Sequence, residues 1–130
     1  MLKAVHHIAI ICSDYPTSKR FYTEILELEI LQEVYREDRD SYKLDLALNG
    51  KYIIELFSFP NRPKRPSFPE ALGLRHLAFQ VDEIEKAISK LNKKGVETEE
   101  IRIDPHTGKK FTFFSDPDDL PLELYENQII

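Results

Sequence analysis

The 130-residue chain has one cysteine, one methionine, four glycines and no tryptophan. Cys12 alone cannot close an internal disulfide, which fits a reducing compartment. No apolar run approaches the roughly 20 residues that span a bilayer, and the start, MLKAVHHIAI, has no signal-length apolar stretch after its lysine. A soluble, cytoplasmic protein is expected, with no membrane partner. Positive charge is in deficit, 18 Lys and Arg against 23 Asp and Glu. Such a balance offers no general field for a phosphate backbone, so nucleic acid is not an expected partner. What the chain does have is 42% hydrophobic content, enough at this length for one core. The expectation is a single domain over residues 1–130.

An internal repeat organises that domain. The segment HHIAIICSDYPTSKRFYTEIL lines up with RHLAFQVDEIEKAISKLNKKG, placing His7 opposite His76. Further on, YIIELFSF lines up with LPLELYEN, placing Glu55 opposite Glu123. Each half reads as βαβββ. The first strand is expected over 5–11, with Pro16 tolerated near a helix start and Phe21, Tyr22, Ile25 and Leu26 forming the helix's apolar stripe. In the second half Asp82 and Glu85 have capping-box spacing, Ile84, Ala87, Ile88 and Leu91 recur at helical spacing, and Gly95 ends the helix. Three strand-like runs follow each helix: 30–36, 42–48 and 52–59, then 97–103, 110–115 and 120–126, with Asn49-Gly50 as a hairpin turn. Module one covers about 1–59 and module two about 74–126. Between them, PNRPKRPSFPEALG at 60–73 holds four prolines and reads as a surface connector.

Alternation along a strand separates the adjacent histidines. His6, Ile8, Ile10 and Cys12 fall on one face, and Val5, His7, Ala9 and Ile11 on the other. The bulky set suits packing under a helix, so His7, beside a small alanine on the concave side, is the candidate and His6 a packing residue. Glu55 and Glu123 each sit as Leu/Ile-Glu-Leu inside an apolar strand, where an unpaired carboxylate is costly. Two imidazoles and two carboxylates converging from four strands make an N/O site for one divalent ion, Zn, Ni, Co, Mn or Fe. The plainer reading has the glutamates facing water and the histidines satisfied in the core. Coordination accounts for residue type and matched position together.

With HHIAI, FYTEIL, IIELF, GLRHLAFQVDEIEKAISKL and FTFFSDPDDLPLELYE, the chain resembles the vicinal oxygen chelate superfamily over nearly its whole length, and within it the glyoxalase I-like (lactoylglutathione lyase-like) branch. The ending resembles the family's F-x-DPDG-x-x-[IVL]-E-L, with Asp119 in the glycine's place. The resemblance implies an α+β fold of two tandem βαβββ modules whose curved mixed sheets enclose a metal, held by His7, Glu55, His76 and Glu123. It implies a lyase or isomerase that abstracts a proton next to a carbonyl on a small vicinal-oxygen substrate such as a thiol–aldehyde adduct, with Glu123 as base and Glu55 the symmetric alternative. It also implies a homodimer in which each site draws two ligands from each chain, or else an intrachain cavity. Where the branch has a glutathione-gripping arginine and an asparagine, this chain has Ile11 and Phe59. Neither can hold a glutathione carboxylate. Arg36, Arg39, Arg75 and the Lys109-Lys110 pair are possible anion contacts, whereas Arg62, Lys64 and Arg65 in the connector read as solvated. Two other functions stay open on this sequence: a metal-dependent ring-cleaving dioxygenase of the same fold, and a non-catalytic binder of small molecules such as drugs.

Overall fold

The computed structural model describes residues 1–127. The chain divides into two compact units, Met1–Lys64 and Arg65–Ile130, and the division falls inside the proline-rich segment. In the first unit β1 (Ile8–Cys12) leads to α1 (Tyr15–Arg20), then β2 (Glu29–Arg36), β3 (Ser41–Leu48) and β4 (Lys51–Ser58), forming a four-stranded sheet of order β1-β4-β3-β2. The second unit repeats the plan with β5 (Leu77–Val81), α2 (Ile84–Lys93), β6 (Arg102–Ile103), β7 (Lys110–Ser115) and β8 (Pro121–Glu126), in the order β5-β8-β7-β6. In each sheet the first strand runs parallel to the last and the other neighbours are antiparallel. Each unit is thus a βαβββ module with a mixed sheet.

Local chemistry explains the elements. Asp14 caps α1, its carboxylate accepting from the Thr17 backbone N–H and hydroxyl, with Pro16 in the first turn. The helix widens into a π-helical stretch over Phe21–Ile25 that buries Phe21 and Tyr22. Asn49 and Gly50 both take positive φ, as a two-residue hairpin of this hand requires. Gly95 is also left-handed, and Val96 N–H returns to the Leu91 carbonyl at 3.0 Å to close α2. Asp119 adopts φ 64°, the left-handed conformation that the glycine it replaces favours, in a turn held by the buried Asp116 carboxylate, which accepts from Asp118 N and Leu120 N at 2.9 Å each.

Alternation sets the faces. Ile10, Cys12, Leu44, Leu46, Ile54 and Leu56 are buried in the first unit's core, with Phe21 and Tyr22 of its helical segment. Their neighbours Ala9, Lys43, Asp45, Glu55 and Phe57 therefore take the opposite, inner face.

Three expectations are corrected. The first strand starts at Ile8 rather than residue 5, because its ladder with β4 begins at the pair Ile8 and Ile54. The run 97–103 pairs as a strand only at Arg102–Ile103; the acidic stretch before it is held instead by Glu99 N–H to the Phe113 carbonyl at 2.9 Å and Thr112 Oγ1 to the Glu99 carbonyl at 2.8 Å. The capping box does not form, since the cap residue of α2 is Glu83, one position after Asp82. The buried Glu126 carboxylate does that work from β8, accepting from Ile84 N–H at 2.7 Å. Among the described residues no helix is long and apolar enough to cross a membrane.

Candidate functional site

In the first unit β1 and β4 lie side by side with Ala9 opposite Glu55, so a histidine just before β1 reaches the middle of β4. His7 Nε2 stands 3.8 Å from Glu55 Oε1. On the far side of Glu55, β3 contributes Asp45 in direct register, and the Lys43 ammonium bridges the two carboxylates, 2.8 Å from Asp45 Oδ1 and 3.4 Å from Glu55 Oε2. The Tyr52 hydroxyl donates to Asp45 Oδ1 at 2.8 Å and lies 3.3 Å from Glu55 Oε2. Burial alone would raise the Asp45 carboxyl, but Lys43 and Tyr52 outweigh it and hold the group below its usual range. Burial, and then the bond to the Asp45 carboxylate, push the Tyr52 phenol well up, so it stays a neutral donor.

The second unit repeats the central pair. Ala78 is opposite Glu123, and His76 Nε2 stands 3.8 Å from Glu123 Oε1. The surroundings differ completely. Opposite Glu123 on β7 is Phe113 rather than an aspartate, and the His76 ring meets its edge at 5.1 Å between centroids. Among the described residues His76 is the polar side chain that Glu123 meets. Arg75 Nη1 donates to His76 Nδ1 at 3.0 Å, which places the hydrogen of a neutral ring on Nε2.

His6 departs from its expected place. Both histidines precede the ladder, so strand alternation does not act on them: His6 Nδ1 lies 2.8 Å from His7 Nδ1, and both rings approach Tyr52, at 5.2 and 5.0 Å. Arg65 also departs from its solvated reading, donating to the Leu74 and Arg75 carbonyls at 2.8 and 3.2 Å. The Lys43, Asp45 and Tyr52 cluster is absent from the sequence reading. Asp45 carried the signal that marked Glu55, a carboxylate between two leucines in an apolar strand.

The donor chemistry of each pair fits a divalent ion. At 3.8 Å the nitrogen and oxygen are too far apart for a hydrogen bond, yet two bonds of about 2.1 Å to a shared ion span up to about 4.2 Å. Imidazole with carboxylate suits Zn, Mn, Fe, Co or Ni. Among the described residues no group of three or more His, Cys, Asp or Glu that could hold an ion is found, and each unit brings together one histidine and one glutamate in this way.

The sequence profile of the glyoxalase/bleomycin resistance protein/dioxygenase superfamily matches residues 4–124. The chain belongs to that superfamily. Within it, the chain is 65% identical over 126 residues to the uncharacterized protein YwkD of Bacillus subtilis, covering 97% of this chain and 98% of that one. A crystal structure of a glyoxalase family protein from Enterococcus faecalis superposes with TM-score 0.89 at 53% identity, covering 95% of this chain and 98% of that one. The metallothiol transferase FosB of Staphylococcus saprophyticus is 31% identical, covering 96% of this chain and 78% of its own. Superfamily membership accounts for the two matched modules and brings metal-dependent enzymes among the relatives.

Proposed function

We propose that the protein is a divalent-metal-dependent lyase or isomerase of glyoxalase I type, acting by proton abstraction next to a carbonyl on a small vicinal-oxygen substrate such as a thiol–aldehyde adduct. The observation that carries this reading is the pair of His–Glu contacts, both 3.8 Å, at matching places in modules whose other inner-face residues differ. The ligands are His7, Glu55, His76 and Glu123, two from each chain of a homodimer. A divalent ion held by these residues would supply Lewis acidity to the substrate.

The remaining chemistry belongs to the chain. Glu55 is held by Lys43 and Tyr52 and serves as a fixed ligand. Glu123, beside Phe113 and without such restraints, is the carboxylate free to take the proton from one carbon and return it to its neighbour.

The likeness to the metallothiol transferase FosB favours a second reading, transfer of a thiol to a small-molecule substrate at the same centre. Proton exchange between substrate and heavy water supports the first; thiol consumption without exchange supports the second.

Elemental analysis and calorimetric titration of wild type beside Glu123→Ala and Glu55→Ala test the centre. About one tight ion per chain, weakened on the order of 100-fold or more in each variant, is expected. Absence of tight binding in wild type overturns the reading. Mixing the two variant chains then tests sharing: heterodimers regain one complete site if ligands come from two chains, and stay inactive if each site lies within one chain.

A further inference from the structure

Several cations of this acidic chain are paired with carboxylates: Lys19, Arg20, Lys43, Arg75, Lys86, Arg102 and Lys110 each have one within 3.5 Å. Arg36 and Arg62 of the first unit lie instead against aromatic rings. The Arg36 guanidinium lies 4.8 Å over the Phe57 ring and 5.6 Å over Phe59, while Arg62 covers Phe59 at 5.2 Å. The two rings themselves stack at 5.5 Å. Arg36 Nη2 donates to the buried Ser41 hydroxyl at 2.9 Å, but its Nε is buried with no hydrogen-bond partner, and neither arginine meets a carboxylate among the described residues.

A guanidinium laid on an aromatic face is pre-oriented, with its fork of donors aimed along the ring plane. A buried donor left unpaired is unfavourable, and an oxyanion is the acceptor that relieves it best. The place is also informative. Phe57 and Phe59 follow Glu55 by two and four residues on the same face of the strand and its continuation, about 7 and 13 Å along the chain direction. Arg36 is paired with Ser41 across β2 and β3, at the end of the sheet that Phe59 occupies.

We propose that Arg36 and Arg62, carried on the Phe57–Phe59 stack, bind an oxyanion group of the substrate, a carboxylate or a phosphate-type group, at the far end of the molecule from the carbons that react beside Glu55. The location of the reacting carbons rests on the function proposed above; the anion contact does not need the metal. Phe59, which by itself cannot hold a carboxylate, thereby positions two residues that can.

The test uses chelator-stripped full-length protein labelled on its phenylalanine rings, titrated with sodium phosphate and with sodium acetate at constant ionic strength, chloride being the reference. The Phe57 and Phe59 ring signals should move saturably with at least one of the two anions, and the tighter one names the class. Arg36→Gln should weaken that binding fivefold or more and Arg36→Lys less; Arg62→Gln, at an exposed position, gives an independent reading should Arg36→Gln not fold. Calorimetric metal affinity should stay at the wild-type value in Arg62→Gln, which separates this site from the metal centre. Ring shifts that follow ionic strength alone, or unchanged anion affinity in the arginine variants, overturn the proposal whatever the metal titration gives.

Discussion

The Glu55 carboxylate lies 3.4 Å from the Lys43 ammonium. At the matching place of the second module, opposite Tyr125 as Lys43 is opposite Phe57, stands Phe111. Two glutamates that the repeat makes equivalent are therefore unequal. Glu55 sits in a charged, hydrogen-bonded cluster and Glu123 against aromatic rings.

That inequality sets the first prediction. Glu123→Gln should lower deuterium incorporation from heavy water into a hemithioacetal of a 2-oxoaldehyde by about 100-fold or more, the range of a lost general base. Glu55→Gln should weaken metal binding yet retain more exchange per bound ion. Equal losses per bound ion in the two variants would remove the assignment of Glu123 as base.

Lys43→Met leaves Asp45, which is 7% exposed, next to Glu55 without a cation between them. A fully buried pair broken this way costs about 3–5 kcal/mol, and because the Lys43 side chain is 27% exposed, a loss of about 1–3 kcal/mol is expected in urea unfolding. Tyr52→Phe should cost less, since Asp45 keeps both contacts to Lys43.

Arg75 donates to His76 Nδ1, so coordination through Nε2 requires the ring hydrogen to move to Nδ1 and Arg75 to let go. Arg75→Gln should tighten metal binding several-fold by calorimetry. Weaker binding in that variant would mean that Arg75 supports the histidine rather than competing for it.

Glu33 joins β2 to α1. Its carboxyl is held below the ordinary value of 4.5 chiefly by the Lys19 ammonium at 2.8 Å and then by the Tyr15 hydroxyl. A depressed folded value means stability that is fully present above about pH 4.5 and is lost as pH falls through the lower folded value. Glu33→Gln should flatten that part of the stability curve, measured by thermal unfolding between pH 3 and 7.

Glu126 accepts from the first turn of α2 across the second unit, and it is 2% exposed. Glu126→Ala orphans the Ile84 N–H and should cost about 1–3 kcal/mol, with α2 amides exchanging faster than those of β7. Glu126→Gln keeps an acceptor oxygen and should lose less.

Much of this was legible in the sequence for a local reason. A period of two or 3.6, a left-handed Asn-Gly turn and a repeated His and Glu are properties of neighbouring residues, so the helices, most strands, the hairpin and the two His–Glu pairs could be read directly. At Asp119 the sequence showed only that an aspartate stands in a glycine's place; the left-handed turn came from the structure. Tertiary structure decided whatever depends on partners distant in sequence. A ladder needs its opposite strand, which shortened β1 and β6; a helix cap can come from 42 residues away, which replaced Asp82 by Glu126. The surroundings of the two glutamates were settled by cross-strand register, which set Asp45 and Lys43 around one and Phe113 around the other. Repeat symmetry in sequence carries residue type and order, but the energy of a buried carboxylate depends on the atoms that folding brings beside it.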